Sequence, residues 1–221
     1  MTAPLILFDL DGTLVDSAPD LACSLNRLRQ EKGLPPLDYA TIRPQAGMGA
    51  RGMLKLGFGL TPEDPDFAEM RERFFDDYAT HCSERVVMFD GIGLLLTQIE
   101  SAGWKWGIVT NKHSRFTYPV LEKLQLAGRA AVVACGDTTG KLKPNPDNLL
   151  YALNACSQPA SEALYVGDDL RDCQAARACD LPFVAASWGY LGAHADIESW
   201  HADFIAADPQ KAFAWFKGYF G

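Results

Sequence analysis

The feature that most constrains this chain is an alternation of two patterns. Short, nearly continuous apolar runs bounded by turn residues recur between longer stretches of helical periodicity. The runs are residues 5–8 (LILF), 104–109 (WKWGIV), 131–135 (AVVAC), 163–166 (ALYV), 183–186 (FVAA) and 204–206. Between them lie patterns such as IGLLLTQIESAG, NPDNLLYALNAC and DDLRDCQAARAC. A strand with no polar face must be covered on both sides, so this alternation predicts an α/β fold, a doubly wound parallel sheet.

The alternation fails between about Asp16 and Arg85, where helical periodicity persists without a convincing strand. In TPEDPDFAEMRERFFDDYATHC, Thr61 is a candidate N-cap, and Phe67, Met70, Phe74 and Tyr78 fall on one face. This reads as an all-helical cap domain, residues 16–85, inserted into a core formed by residues 1–15 and 86–221. Its hinges would lie near Asp16 and Arg85.

The 221 residues suffice for such an arrangement, and the net charge of −8 argues against a nucleic-acid partner, which would need a positive face. No apolar run reaches membrane-span length, and the first residues lack the basic region and apolar segment of a secretory leader. No membrane partner is expected. The six cysteines form no CxxC pair and read as thiols of a reducing cytoplasm. A monomer or weak dimer is expected. His81, His113, His194 and His201 lack ligand spacing and read as surface residues.

The chemistry gathers at the ends of the apolar runs. Residues 5–8 lead directly into Asp9-Leu10-Asp11-Gly12. Asp-Gly is a common turn pair, so by itself this segment is compatible with a polar strand end. In parallel α/β sheets, however, ligands bind beyond the carboxyl ends of the strands. Residues 104–109 end in Thr110-Asn111-Lys112, offering a hydroxyl, an amide and an ammonium. Residues 163–166 end in Gly167-Asp168-Asp169, with Asp172 one helical turn beyond. Between them GKLKPNP places Lys143 before a helix start signalled by Pro144 and Pro146. Each has a dull explanation as a cap or solvated charge. Their common arrival at one sheet edge does not.

In these residues the chain resembles the haloacid dehalogenase superfamily over essentially its whole length. The matching segments are FDLDGTLVDS, Thr110 in IVTN, Lys143 in KPNP, and VGDDLRD. Within the superfamily the chain looks most like phosphoglycolate phosphatases and the related phosphatases of N-acetylmuramic acid 6-phosphate. The resemblance implies a Mg²⁺-dependent hydrolase of a small phosphorylated metabolite. Asp9 would attack phosphorus as a covalent nucleophile. Asp11 would protonate the leaving alkoxide and later activate water. The implied metal ligands are Asp9, the main-chain carbonyl of Asp11, and Asp168. Lys143 would neutralise Asp9 and the transferring oxygens, and Thr110 and Asn111 would bind the phosphoryl group. Asp169 and Asp172 would support metal-bound water or Lys143, with a helix-start charge as the plainer alternative.

A phosphosugar mutase shares these motifs and is a second enzyme reading, while a non-catalytic scaffold is disfavoured because every catalytic position is filled. Two departures from the family pattern stand out. Relatives commonly carry proline where this chain has Asp90, before Gly91, and glycine where it has Asp180. A helix ending before Leu181-Pro182 predicts a left-handed backbone at Asp180. Substrate choice is expected from residues 45–53 (QAGMGARGM), where Arg51 could pair with a substrate carboxylate.

Overall fold

The structure, a computed structural model, describes residues 3–191 and 196–221, so the reading of His194 lies outside the described residues. In chain order the strands are β1 (Leu5–Phe8), β2 (Val15–Asp16), β3 (Val87–Met88), β4 (Lys105–Val109), β5 (Val133–Ala134), β6 (Ala163–Gly167), β7 (Phe183–Ala186) and β8 (Phe204–Ala206). The helices are α1 (Ala18–Glu31), α2 (Tyr39–Ile42), α3 (Gly49–Phe58), α4 (Phe67–His81), α5 (Ile92–Ser101), α6 (Ser114–Lys123), α7 (Asp147–Ala155), α8 (Leu170–Arg177) and α9 (Pro209–Phe220).

Every apolar run of the sequence becomes a strand of one six-stranded sheet, ordered β5-β4-β1-β6-β7-β8 and parallel throughout. β1 sits centrally, with Phe8 in register with Ile108 on one side and Val166 on the other. Because side chains alternate across a strand, Ile6 and Phe8 face one helical layer while Leu5 and Leu7 face the other. The first core packs Ile92, Leu96, Val120 and Phe216 against the sheet, and the second packs Leu149, Leu153, Cys173 and Ala176. Both faces being covered is why β1 carries no polar residue.

Residues 18–81 form a separate helical layer with its own core of Leu21, Leu25, Leu28, Met53, Leu54, Phe67, Met70, Phe74 and Tyr78. The face anticipated on α4 is the buried one. Phe116 and Tyr190, from outside the layer, join this core. The chain enters and leaves through an antiparallel pair that the sequence did not announce, Val15 opposite Met88 and Asp16 opposite Val87. The Asp20 carboxylate reinforces the junction by accepting from the backbone N–H groups of Arg85 and Val86 at 2.9 and 3.0 Å.

Thr61 does not cap α4, which starts at Phe67 with Asp66 as N-cap. Its N–H and hydroxyl instead both donate to Asp64, at 2.7 and 2.9 Å. Pro65 disfavours the helical region for Asp64, which argues against a helix start there. The Asp180 expectation holds: α8 stops at Arg177, Asp180 has φ 56°, and Leu181 N–H returns to Ala176 O at 3.0 Å.

Phe74 is fully buried and stacks on Tyr78 with ring centroids 6.1 Å apart. Truncation to alanine is expected to lower unfolding free energy by about 3–5 kcal/mol. Urea titration of Phe74→Ala checks this, and a loss under about 1 kcal/mol would mean that the helical layer is not held by its core.

Candidate active site

Each parallel strand delivers its following residues to the same edge of the sheet. The end of β1 presents Asp9 and Asp11, the end of β4 presents Thr110, Asn111 and Lys112, and the end of β6 presents Asp168. The loop before α7 brings Lys143 beneath them.

Lys143 is the hub. Its ammonium lies 2.8 Å from Asp9 Oδ1 and 2.7 Å from Asp172 Oδ1, with the Lys143 side chain only 3% exposed. It also donates to Val109 O at 3.0 Å and to the Tyr165 hydroxyl at 2.7 Å. Burial alone would depress the ammonium, but Asp172 and Asp9 more than compensate and push its pKa up. Asn111 fixes this lysine from behind, its Oδ1 accepting from Lys143 N–H at 2.7 Å and its Nδ2 donating to Lys143 O at 3.1 Å. The Asn111 amide is thus engaged at both atoms by the lysine backbone and positions Lys143.

Asp168 is buried and tied at both oxygens. Oδ1 accepts from the Thr13 hydroxyl and Oδ2 from Tyr190 N–H, each at 2.8 Å. Gly12, with φ +90°, is obligatory here, since a Cβ would lie 2.1 Å from Asp168 Oδ2. Asp169 caps α8 by accepting from Arg171 N–H, while Asp172 closes the capping box by accepting from Asp169 N–H at 3.1 Å. The Arg171 guanidinium grips Asp169 and reaches Gly47 O in the helical layer at 2.8 Å. Both carboxylates thus have the plainer helix-start function, and Asp172 additionally holds Lys143.

Asp9, Asp168 and Asp172 bring one oxygen each to within 4.8 Å of one another. Three carboxylates face a single ammonium, a deficit of positive charge. Burial, with repulsion from Asp172 and Asp11, outweighs Lys143 and pushes Asp9 up to about 7. Asp168 is raised by burial and by Asp9 and Asp172. Among the described residues, Asp9 Oδ1 is buried without a hydrogen-bond donor in bonding geometry, although Lys143 pairs with it electrostatically. An unsaturated carboxylate oxygen in an all-oxygen, negatively charged cluster fits a hard divalent cation.

Asp11 is paired separately. Its Oδ1 accepts from Lys112 Nζ at 2.9 Å and from the Ser17 hydroxyl at 2.5 Å. Thr110 is 2% exposed, and its hydroxyl accepts from Lys112 N–H at 3.1 Å. Arg51 does not join this constellation. It is exposed on α3, lining a cleft made of residues 45–63, and Glu63 feels its charge. Sequence reasoning noted the Lys112 ammonium at its strand end without giving it a role, and missed Tyr165, Tyr190 and Thr13 as site residues. Thr13 lies inside FDLDGTLVDS and was open to notice, whereas the two tyrosines arrive only through folding.

This sheet-edge cluster has the form of a carboxylate-based hydrolase centre. The haloacid dehalogenase-like hydrolase family matches residues 6–186, and the chain belongs to that family. An N-acetylmuramic acid 6-phosphate phosphatase of Pseudomonas aeruginosa is 38% identical over 206 residues, covering 93% of this chain and 91% of its own. A phosphoglycolate phosphatase of Xanthomonas campestris is 40% identical, covering 93% of each chain. A solved haloacid dehalogenase-like hydrolase from Streptococcus pneumoniae superposes with a TM-score of 0.81 at 26% identity, covering 97% of this chain and 98% of that one.

The charge deficit makes a pH-dependent prediction. Unfolded Asp9 ionises near 3.8, while the folded, metal-free protein retains its proton to about 7. The folded state binds the extra proton in that window, so this group's contribution to stability falls as pH rises through it. A divalent cation supplies the missing charge once the proton has left. Added MgCl₂ is expected to raise Tm more at pH 8 than at pH 5, with about 2.7 kcal/mol of stabilisation at a hundred times its Kd. Equal Tm shifts at both pH values, or none, would contradict the assignment.

Proposed function

We propose that the chain is a Mg²⁺-dependent phosphatase that hydrolyses a small phosphomonoester, 2-phosphoglycolate, through an aspartyl-phosphate on Asp9. The observation that carries this is the Asp9 oxygen, buried with the Lys143 ammonium 2.8 Å away and no other donor among the described residues. A nucleophile saturated by donors would be a poor one. Asp9, the Asp11 carbonyl and Asp168 would hold Mg²⁺, which when bound screens the anionic phosphoryl group from the carboxylates.

Asp9 attacks phosphorus and the ester oxygen departs with a proton from Asp11. Water then attacks the phosphoryl group, Asp11 takes its proton, and Asp9 is released with orthophosphate. Lys143 pairs with Asp9 and meets the developing charge, while the Thr110 hydroxyl donates to a phosphoryl oxygen. Residues 16–85 act as a cap over residues 1–15 and 86–221, excluding water from the phosphoryl group. Supporting this, the antiparallel β2–β3 pair stands at both chain crossings. A cytoplasmic location accords with six cysteines left as free thiols.

The similarity to both named phosphatases supports the chemistry and leaves two substrates. The Pseudomonas relative, at 38% identity, favours N-acetylmuramic acid 6-phosphate as the second reading. Arg51, exposed on α3 along the cleft of residues 45–63, remains the candidate for pairing with a substrate carboxylate. Phosphate release from 2-phosphoglycolate, N-acetylmuramic acid 6-phosphate and p-nitrophenyl phosphate, with Mg²⁺ and with chelator, tests the proposal. Release is expected with Mg²⁺ and not with chelator, and the preferred ester decides between the readings. Sugar-phosphate isomerisation without phosphate release would instead indicate a mutase. Asp9→Asn should reduce turnover at least about a thousandfold with the fold retained. Ordinary turnover by that variant would remove the covalent mechanism.

A further inference from the structure

The proposed reaction leaves one buried cation at the site without a task. The Lys112 side chain is only 7% exposed, and its ammonium divides its protons between Asp11 Oδ1 at 2.9 Å and the Tyr78 hydroxyl at 2.7 Å. Its backbone is fixed at both ends, N–H donating to Thr110 Oγ1 at 3.1 Å and C=O accepting from Gly136 N–H at 2.9 Å. Tyr78 comes from α4, on the other side of the chain crossings from Asp11 and Lys112. It is equally constrained, stacked on Phe74 and packed 5.3 Å from the Phe116 ring.

The geometry at Asp11 is asymmetric. Ser17 and Lys112 both converge on Oδ1. With one oxygen anchored by two donors, Oδ2 is the oxygen left to carry a transferred proton. Ser17 lies at the junction leading into α1, and Tyr78 lies on α4, so the helical layer supports Asp11 from both. We propose that Lys112 is a positioning residue that orients the Asp11 carboxyl for proton transfer, held in place by the Tyr78 hydroxyl of α4. Lys143 and Lys112 thus divide the work: one serves the nucleophile, the other the acid–base group. Through Tyr78, Asp11 is fully oriented only when α4 is seated against α6. This rests on the phosphatase reading and assigns to it a residue outside the recognised motifs.

Proton delivery matters for an alkoxide leaving group and little for p-nitrophenolate, which departs unprotonated. A lysine that merely ties the layers together would affect both esters alike. The test measures kcat/KM for p-nitrophenyl phosphate and for the alkyl ester that the unaltered protein hydrolyses, 2-phosphoglycolate or N-acetylmuramic acid 6-phosphate. Lys112→Met is expected to shift the ratio against the alkyl ester by about 10- to 100-fold, part of the 10²–10⁴-fold available to acid–base catalysis. Tyr78→Phe, which removes one oxygen, is expected to shift it the same way by about 3- to 10-fold, and decides the matter alone if Lys112→Met fails to fold. Because Lys112 acts through Asp11, the double variant Asp11→Asn/Lys112→Met should match Asp11→Asn within about twofold. Equal losses on both esters, or multiplied losses in the double variant, would overturn the proposal. No hydrolysis of any ester by the unaltered protein would overturn the phosphatase reading itself, and this inference with it.

Discussion

The structure depends on one buried ammonium. Lys143 stands between Asp9 and Asp172 at 2.8 and 2.7 Å, with Tyr165 and Val109 completing its contacts. Removing one partner of such a group leaves an uncompensated charge in a low-dielectric interior, a loss of about 3–5 kcal/mol. The elements around it therefore converge. β1 positions Asp9, β6 contributes Tyr165, α8 contributes Asp172, and Asn111 at the end of β4 clamps the lysine backbone. Tyr165 is the one polar interruption of its strand, and its hydroxyl reaches Val109 O at 2.8 Å and Asp172 at 3.2 Å. The sheet core and the reactive edge are thus continuous, with no flexible linker between stability and chemistry.

That convergence still leaves the cluster short of positive charge. Asp9 and Asp168 are both pushed upward, burial being the main cause. The frustration is local and is compensated by a well-packed sheet, as expected where strain is maintained for function. Asp11 is paired apart from this cluster, with Lys112 Nζ 2.9 Å away. The two carboxylates, two residues apart in sequence, therefore sit in different surroundings, which is what acid–base chemistry and nucleophilic attack require of such a pair.

Much of this was legible in the sequence because parallel strands advertise themselves. The runs that became β1, β4, β5, β6, β7 and β8 could not be half-exposed, and their ends marked where Asp9, Thr110 and Asp168 would meet. Asp180 was legible because few residues other than glycine tolerate its backbone conformation. What stayed hidden depends on distances across the fold. β2 and β3 have two residues each and no periodicity to reveal them. The engagement of Asn111 by Lys143 is a contact across 32 positions, and that of Lys112 by Tyr78 across 34. Thr61 misled because a cap residue is a local signal, overridden by Pro65 four residues later.

The central claim is that Asp9 becomes covalently phosphorylated. An acyl phosphate is reduced by borohydride to the corresponding alcohol, so an aspartyl-phosphate becomes homoserine. Quenching the protein during turnover of its preferred ester with Mg²⁺, reducing it and mapping the peptides by mass spectrometry reads the site directly. The account predicts homoserine in place of Asp9, dependent on substrate and absent with chelator. Steady turnover with Asp9 unmodified, or homoserine in place of another aspartate, would contradict it.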